Sequence, residues 1–242
     1  MNTALITGGS RGIGRSIALH FAQSAYDIAI CARSDSEGLQ HTQDLIHTQT
    51  GGRCHTYLAD VSSYDDCKAM FAQIKDDLGD ISVLVNNAGI SYMGLLQDMS
   101  PADWHTVLET NLTSCFNCCQ LAIPDMVRAH HGHIINISSI WGQHGSSCEV
   151  AYSASKGGMD AFTKALAQEL APSGILVNAI SCGLIDTAMN ENLTKDELAD
   201  VIADIPLGRI GTPDDIATVA VFLATQNYIT GQVLGVDGGW MA

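Results

Sequence analysis

The chain of 242 residues carries 26 acidic against 11 basic residues, a formal net charge of −15, with 46% hydrophobic residues. So acidic a chain repels nucleic acid and anionic lipid, and its basic residues form no cluster that would offset this. No apolar run approaches the roughly 20 residues of a membrane-spanning helix, so the expectation is a cytoplasmic protein with neither bilayer segment nor secretory leader, folded as one α/β domain over residues 1–242.

In chain order, a β-prone run at residues 3–7 leads directly into Gly8-Gly9-Ser10-Arg11-Gly12-Ile13-Gly14, which opens an amphipathic helix carrying Ile17, Ala18, Phe21 and Ala22. Strand, glycine loop and helix in this order suit a dinucleotide: the glycines permit a tight turn, and the helix N-terminus favours a pyrophosphate. Further strands are expected at 28–31, 54–58, 83–85, 134–137, 176–180 and 232–236, with amphipathic segments between them. Seven strands alternating with helices predict a doubly wound Rossmann fold, its sheet mostly parallel and covered by helices on both faces. A helix after Asn111 takes Cys115, Cys118 and Cys119 into the core beside Leu112, Phe116 and Leu121, and no second cysteine pair stands at zinc-like spacing. His130, His131 and His133 read as a polar turn before the fifth strand, so no metal is expected. The long irregular stretch at about 181–210, with a helix start at Thr194-Lys195-Asp196-Glu197, follows the sixth strand where ligands bind in such sheets, and predicts a mobile substrate lid.

Chemistry concentrates in Tyr152-Ser153-Ala154-Ser155-Lys156, with Ser139 thirteen residues upstream. In a helix, side chains four apart share a face, so a phenol and an ammonium can reach one ligand. A phenol ionises near ~10, and a neighbouring positive charge favours its phenolate. The lysine therefore makes the tyrosine usable as an acid or base near neutral pH.

Taken together, Thr7-Gly8-x-x-x-Gly12-x-Gly14, Asn86-Asn87-Ala88-Gly89, Asn111, Ser139, Tyr152 and Lys156 resemble the short-chain dehydrogenase/reductase family, and the likeness runs on to Val236-Asp237-Gly238-Gly239. The resemblance implies that Tyr152 protonates a carbonyl oxygen, that Ser139 rather than Ser138 donates a hydrogen bond to it, that Lys156 tunes the phenol and holds the nicotinamide ribose, and that Asn111 fixes a water beside the lysine. It implies a cofactor site from Gly8, Ser10, Arg11, Gly12, Ile13 and Gly14, Arg33 and Ser34, Asp60 and Val61 at the adenine, Asn87, Ala88 and Gly89 at the ribose, and Ile185 and Thr187 at the carboxamide. It also implies a homotetramer. One departure stands out: where similar sequences have Pro-Gly after the sixth strand, this chain has Cys182-Gly183, which frees a backbone torsion and adds a thiol.

The dinucleotide follows from charge. NAD-preferring relatives place a carboxylate at the end of the second strand, which would repel a 2′-phosphate; here Ala32 holds that position and Arg33 follows it, with Arg11 as a second cation. NADP(H) is expected. The substrate is expected to be a ketone. The chain is similar to the 3-oxoacyl-acyl-carrier-protein reductases through Pro206-Leu207-Gly208-Arg209, Pro213 and Asp215-Ile216-Ala217, yet has His130 and Ser173 where those enzymes carry cations that attract the acidic carrier. Through Trp141-Gly142, Ser147-Cys148-Glu149-Val150 and Trp240 it is similar to elongation factor P 5-aminopentanone reductases, which implies a protein-linked ketone and a cation received by Glu149 and Trp141. A non-catalytic NADP-sensing protein is the reading of another class. Arg33→Ala should lower the ratio of NADPH to NADH efficiency by roughly 10-fold to 100-fold, as loss of a charged hydrogen bond implies, measured as kcat/KM with each cofactor; an unchanged ratio would remove the assignment.

Overall fold

The computed structural model describes residues 2–190 and 194–241. Its strands are β1 (Thr3–Thr7), β2 (Asp27–Ala32), β3 (Cys54–Leu58), β4 (Ile81–Asn86), β5 (Gly132–Ser139), β6 (Ile175–Cys182) and β7 (Val233–Val236). They form one sheet in the order β3-β2-β1-β4-β5-β6-β7, and every pairing in it is parallel. All seven expected strands are present, each within a few residues of its sequence bounds. His133 is the exception to the expected turn: it lies inside β5, buried, and desolvation drives its pKa down to about 4, so it is a neutral core residue.

Between the strands run α1 (Gly12–Gln23), α2 (Ser36–Thr50), α3 (Tyr64–Leu78), α4 (Pro101–Leu108), α5 (Ser114–Ala129), α6 (Trp141–His144), α7 (Val150–Leu170), α8 (Lys195–Asp204) and α9 (Pro213–Thr225). The period of two along each strand divides the core. Ala4, Ile6, Ile28, Ile30, Val83, Val85, Ile135 and Ile137 face the layer of α1, α2 and α9. Leu5, Ala29, Leu84 and Ile134 face α3, α5 and α7, where Cys115, Cys118 and Cys119 are buried as expected. A strand buried on both faces must be apolar at successive positions, which is why stretches 4–6 of β1, 28–32 of β2 and 83–85 of β4 read as unbroken apolar runs. Thr194 and Glu197 form the capping box that starts α8, the helix start expected within the irregular stretch.

Three polar side chains cross the second layer. Asn86 Nδ2 donates to Asn136 Oδ1 at 2.9 Å, Asn136 Nδ2 to Thr163 Oγ1 at 2.8 Å, and Thr163 Oγ1 to the Met159 carbonyl at 2.8 Å. Asn136 is fully buried, so each bond replaces water that cannot reach it. The chain ties the ends of β4 and β5 to α7, the helix that carries Tyr152 and Lys156. Asn136→Ala should therefore cost about 2–3 kcal/mol by leaving buried donors unpaired, seen as a lower urea midpoint at unchanged slope.

Candidate active site

In an open parallel sheet, ligands bind beyond the C-terminal strand ends at the point where the order of connection reverses. Here that point lies between β1, which leads on to β2, and β4, which is reached only after β3. Thr7 closes the crevice floor: its Oγ1 accepts from the Asn87 N–H at 2.9 Å and the Ala88 N–H at 3.0 Å, while Asn87 Nδ2 donates to the Thr7 carbonyl at 2.8 Å and the Gly8 carbonyl at 3.2 Å. The glycine loop sits on this floor without room for side chains. A Cβ on Gly14 would collide with the Gly8 carbonyl oxygen and stand 2.6 Å from Asn87 Nδ2. Gly8 and Gly12 have φ of +66° and +54°, in the left-handed region where a Cβ is strained.

The start of α1 differs from that of the capped helices. Asp35, Ser63, Ser100, Thr194 and Thr212 cap α2, α3, α4, α8 and α9 with a side-chain oxygen. At α1 the N-cap is Arg11, which supplies no acceptor, and the first turn holds no acid. Uncapped N–H groups, a positive helix end and a cation suit a diphosphate. Arg33 and Ser34 are exposed at the end of β2 on the same side. Sequence reasoning missed the residues that brace this region. Arg15 donates from its guanidinium to the Ser10 carbonyl and from Nε to Thr42 Oγ1 at 3.0 Å. The Asp35 carboxylate, besides accepting the Gly38 N–H, is held below its usual range by a hydrogen bond from Ser10, then by Gly38 and the charges of Arg11 and Arg15. The signal for Arg15 was present: it lies one helical turn past Arg11.

Asp60 and Val61 follow β3, but their side chains are spent on structure. The Asp60 carboxylate accepts from the Ser62 hydroxyl at 2.7 Å, and Val61 is buried, its carbonyl receiving Asn117 Nδ2 at 3.0 Å. Ile185 is also buried and pairs with Gly211 as an isolated bridge, whereas Thr187 lies over the glycine loop, its Cγ2 3.4 Å from where a Gly12 Cβ would stand. Ile13 packs partly buried against the first layer.

At the ends of β5 and β6 the structure brings together Ser139, Tyr152, Lys156 and Cys182. Ser139 and Cys182 are cross-strand neighbours. Ser139 lies beside the Tyr152 phenol, and its Oγ accepts the Trp141 N–H at 3.2 Å. Ser138 points elsewhere, its hydroxyl 3.5 Å from the Lys156 carbonyl. Burial raises the Tyr152 pKa above the usual phenol range, the neighbouring Cys182 and Glu149 add to this, and only Ser139 opposes them. Burial also pushes the Lys156 ammonium down, against the influence of Cys182, Cys115 and Asp160. Lys156 Nζ lies 5.6 Å from the Tyr152 ring centroid and donates to the Ile137 carbonyl at 2.7 Å. The Cys182 thiol is pushed up to about 12, chiefly by burial, so it is protonated and inert at neutral pH.

Asn111 sits in a π turn (Glu109–Thr113) that joins α4 to α5, and it is completely buried. Its Oδ1 accepts the Ile90 N–H at 2.8 Å, while its Nδ2 donates to the Ile90 carbonyl at 2.9 Å and to Ser155 Oγ at 3.0 Å. The side chain is thus a clamp between the loop after β4 and α7. The π turn lies outside what sequence pattern can resolve, and such turns recur at functional sites. His130 and Ser173 do not join this group: the Ser173 turn packs Gly174 against the His130 carbonyl at the start of β5 and β6, the opposite end of the sheet.

Residues 2–198 match the short chain dehydrogenase family model. The chain is 43% identical to a 3-oxoacyl-[acyl-carrier-protein] reductase of Chlamydia muridarum, over 98% of this chain and 96% of that protein, and 41% identical to the enzyme of that name from Staphylococcus aureus, over 98% and 97%. Its fold superposes with a TM-score of 0.95 on a structure described as a gluconate dehydrogenase of Agrobacterium tumefaciens, 34% identical over 100% of this chain and 96% of that one. Parallel sheet, glycine loop and the Ser139, Tyr152 and Lys156 grouping therefore belong to a member of the short-chain dehydrogenase family, oxidoreductases that use a nicotinamide cofactor. Among the described residues, no helix is long and apolar enough to cross a membrane.

Because the Gly14 position touches both the loop and Asn87, Gly14→Ala should lower stability by about 1–3 kcal/mol and weaken NADPH binding together. Thermal melting and a nucleotide fluorescence titration would report the two effects; an alanine variant that binds as tightly as the parent would show that the loop tolerates displacement.

Proposed function

We propose that the protein is an NADPH-dependent carbonyl reductase of the 3-oxoacyl-acyl-carrier-protein reductase type. The observation that carries this reading is the grouping of Ser139 at the end of β5, the Tyr152 phenol beside it and the Lys156 Nζ 5.6 Å from the Tyr152 ring centroid, on the side of the crevice that the uncapped α1 faces. A bound nicotinamide supplies the hydride. The chain's own residues do the rest. Ser139 and Tyr152 point two hydroxyl groups at one position, where charge develops on a carbonyl oxygen, and Tyr152 gives up its proton to that oxygen. Lys156 lowers the cost of the phenolate left behind and, by turning from the Ile137 carbonyl, holds ribose hydroxyls. Asn111 keeps the loop after β4 in register with α7 and so keeps the lysine in place. Arg11 and Arg33 supply the cations for a 2′-phosphate, with Ser10 and Ser34 beside them, while the backbone of Asp60 and Val61 borders the adenine.

The stretch at about 181–210 serves as the substrate lid of a single domain spanning 1–242. Two backbone pairs support a hinge at its ends: the Gly211 N–H donates to the Leu184 carbonyl at 2.9 Å, and the Asp186 N–H to the Gly211 carbonyl at 2.9 Å. A homotetramer would cover Phe116 on α5 and Phe222, Tyr228 and Leu234 near the chain end, all exposed in the single chain. The protein acts in the cytoplasm.

A second substrate reading, a ketone on a modified lysine of elongation factor P, is favoured by the site mouth. Ser91 Oγ donates to Glu149 Oε1 at 2.6 Å, fixing a carboxylate near Tyr152, and Trp141 is braced by Trp240 with ring centroids 5.4 Å apart. A carboxylate and an aromatic face suit a cationic chain better than an anionic carrier. NADPH oxidation with acetoacetyl thioesters compared with elongation factor P bearing the ketone separates the two.

For the shared chemistry, Tyr152→Phe should lower kcat by roughly 100-fold or more, with a smaller effect on NADPH affinity. Ser139→Ala should cost more than Ser138→Ala. Full turnover by the phenylalanine variant would remove Tyr152 as the proton donor, NADPH binding without oxidation across a panel of ketones would leave a non-catalytic NADP-sensing protein, and a larger loss at Ser138 would exchange the two serines.

A further inference from the structure

After β7 the chain folds into a fastened turn over residues 237–241. The Asp237 carboxylate accepts the Gly239 N–H at 2.9 Å and the Met241 N–H at 3.3 Å, so one side chain closes the turn on itself. Its base is held by the residue after β6, whose N–H, that of Gly183, donates to the Val236 carbonyl at 3.0 Å. Its flank is held by the segment that follows α8: the Leu207 N–H donates to the Gly238 carbonyl at 3.1 Å, and a Cβ on Gly238 would stand 2.7 Å from Ile205 Cγ2. Held from both sides, the turn presents the Trp240 indole edge-on to that of Trp141, with ring centroids 5.4 Å apart and planes at 66°.

Trp141 offers the site more than an aromatic face, because its main-chain N–H donates to Ser139 Oγ at 3.2 Å. A hydroxyl oxygen that accepts such a bond is limited in rotation and polarised, which makes its own O–H a better donor. The N–H must be held still for this to work. Trp141 opens α6, a single turn of four residues, and one turn is not stable by its own hydrogen bonds. On one side of it the Ile140 N–H is fastened to the Cys182 carbonyl at 3.0 Å; on the other, Gly142 is pressed on α7, where a Cβ would stand 2.8 Å from the Lys156 carbonyl carbon. Between these two fixed points the orientation of Trp141 rests on its side chain, whose aromatic partner among the described residues is Trp240.

We propose that Trp240 is a positioning residue that acts through Trp141, holding the N–H that orients the Ser139 hydroxyl toward the carbonyl oxygen of the substrate. The proposal rests on the reading of Ser139 as the hydrogen-bond donor to that oxygen. The contact sets the size of the effect: the free energy of an edge-to-face aromatic pair corresponds to roughly 3-fold to 10-fold in a rate or a population.

Steady-state reduction of an acetoacetyl thioester with NADPH is the first measurement. Trp240→Ala should lower kcat by that factor with KM for the thioester and for NADPH unchanged, and Trp240→Phe, which keeps an aromatic edge, should restore most of the rate. In a Ser139→Ala background the same substitution should change kcat by less than about 2-fold, because the group it positions is gone. Amide exchange reads the hydrogen bond without turnover: isotope-labelled tryptophan reports three main-chain N–H groups, and that of Trp141 should exchange faster in Trp240→Ala while that of Trp104 in α4 is unmoved. A rise in KM alone, an unmoved Trp141 amide, or an equal loss of kcat with and without Ser139 would overturn the proposal. Ser139→Ala separates the two levels: a serine variant of low activity beside a Trp240→Ala enzyme of parental kcat removes this inference alone, whereas a fully active serine variant removes the reading beneath it.

Discussion

The hydrogen bonds between Thr7 and the Asn87-Ala88 backbone are the constraint on which the site depends. They join the ends of β1 and β4 where the sheet reverses its order of connection, so the gap between the strands becomes a crevice of set width. Gly14 closes over the same asparagine, which leaves the start of α1 pressed to the strand end with its N–H groups directed outward. One threonine hydroxyl and one asparagine amide thereby couple the glycine loop to the loop that leads, through Ile90 and Asn111, to α7. The glycine-loop end and the Tyr152 end of the site are consequently parts of one hydrogen-bonded frame.

At the Tyr152 end, burial is the largest influence on both Tyr152 and Lys156, and it opposes the charged form of each. A phenol and an ammonium withdrawn from water would be poor partners for proton exchange unless other contacts compensate. Ser139 favours the phenolate, Asp160 favours the ammonium, and Glu149 disfavours the phenolate. The site is a balance of opposed fields in a low-dielectric wall, where small changes in charge carry weight.

The thiol at position 182 fits this picture without taking part in it. Its backbone continues β6 to the strand end, with the Ile140 N–H donating to its carbonyl at 3.0 Å, which fastens the turn that carries Trp141. Its sulfur lies in the same enclosure as the phenol but stays protonated, so it contributes volume and weak polarity rather than charge.

The chain itself made the seven strands, the glycine turn and the Tyr152, Lys156 and Ser139 grouping legible, because these depend on local periodicity, on positions that exclude a Cβ, and on a four-residue helical spacing. The boundaries of β4 and β5 and the burial of His133 escaped that reading, since a histidine in a polar run gives no local sign that a sheet will cover it. The π turn, the clamp role of Asn111, the bracing by Arg15 and the orientation of Glu149 toward Ser91 were also beyond it. Each joins residues from separate elements, 21 positions apart for Asn111 with Ile90 and 58 for Ser91 with Glu149. Periodicity encodes which face a residue takes, but the partner waiting at that face is chosen only when the strands have aligned and the loops have closed.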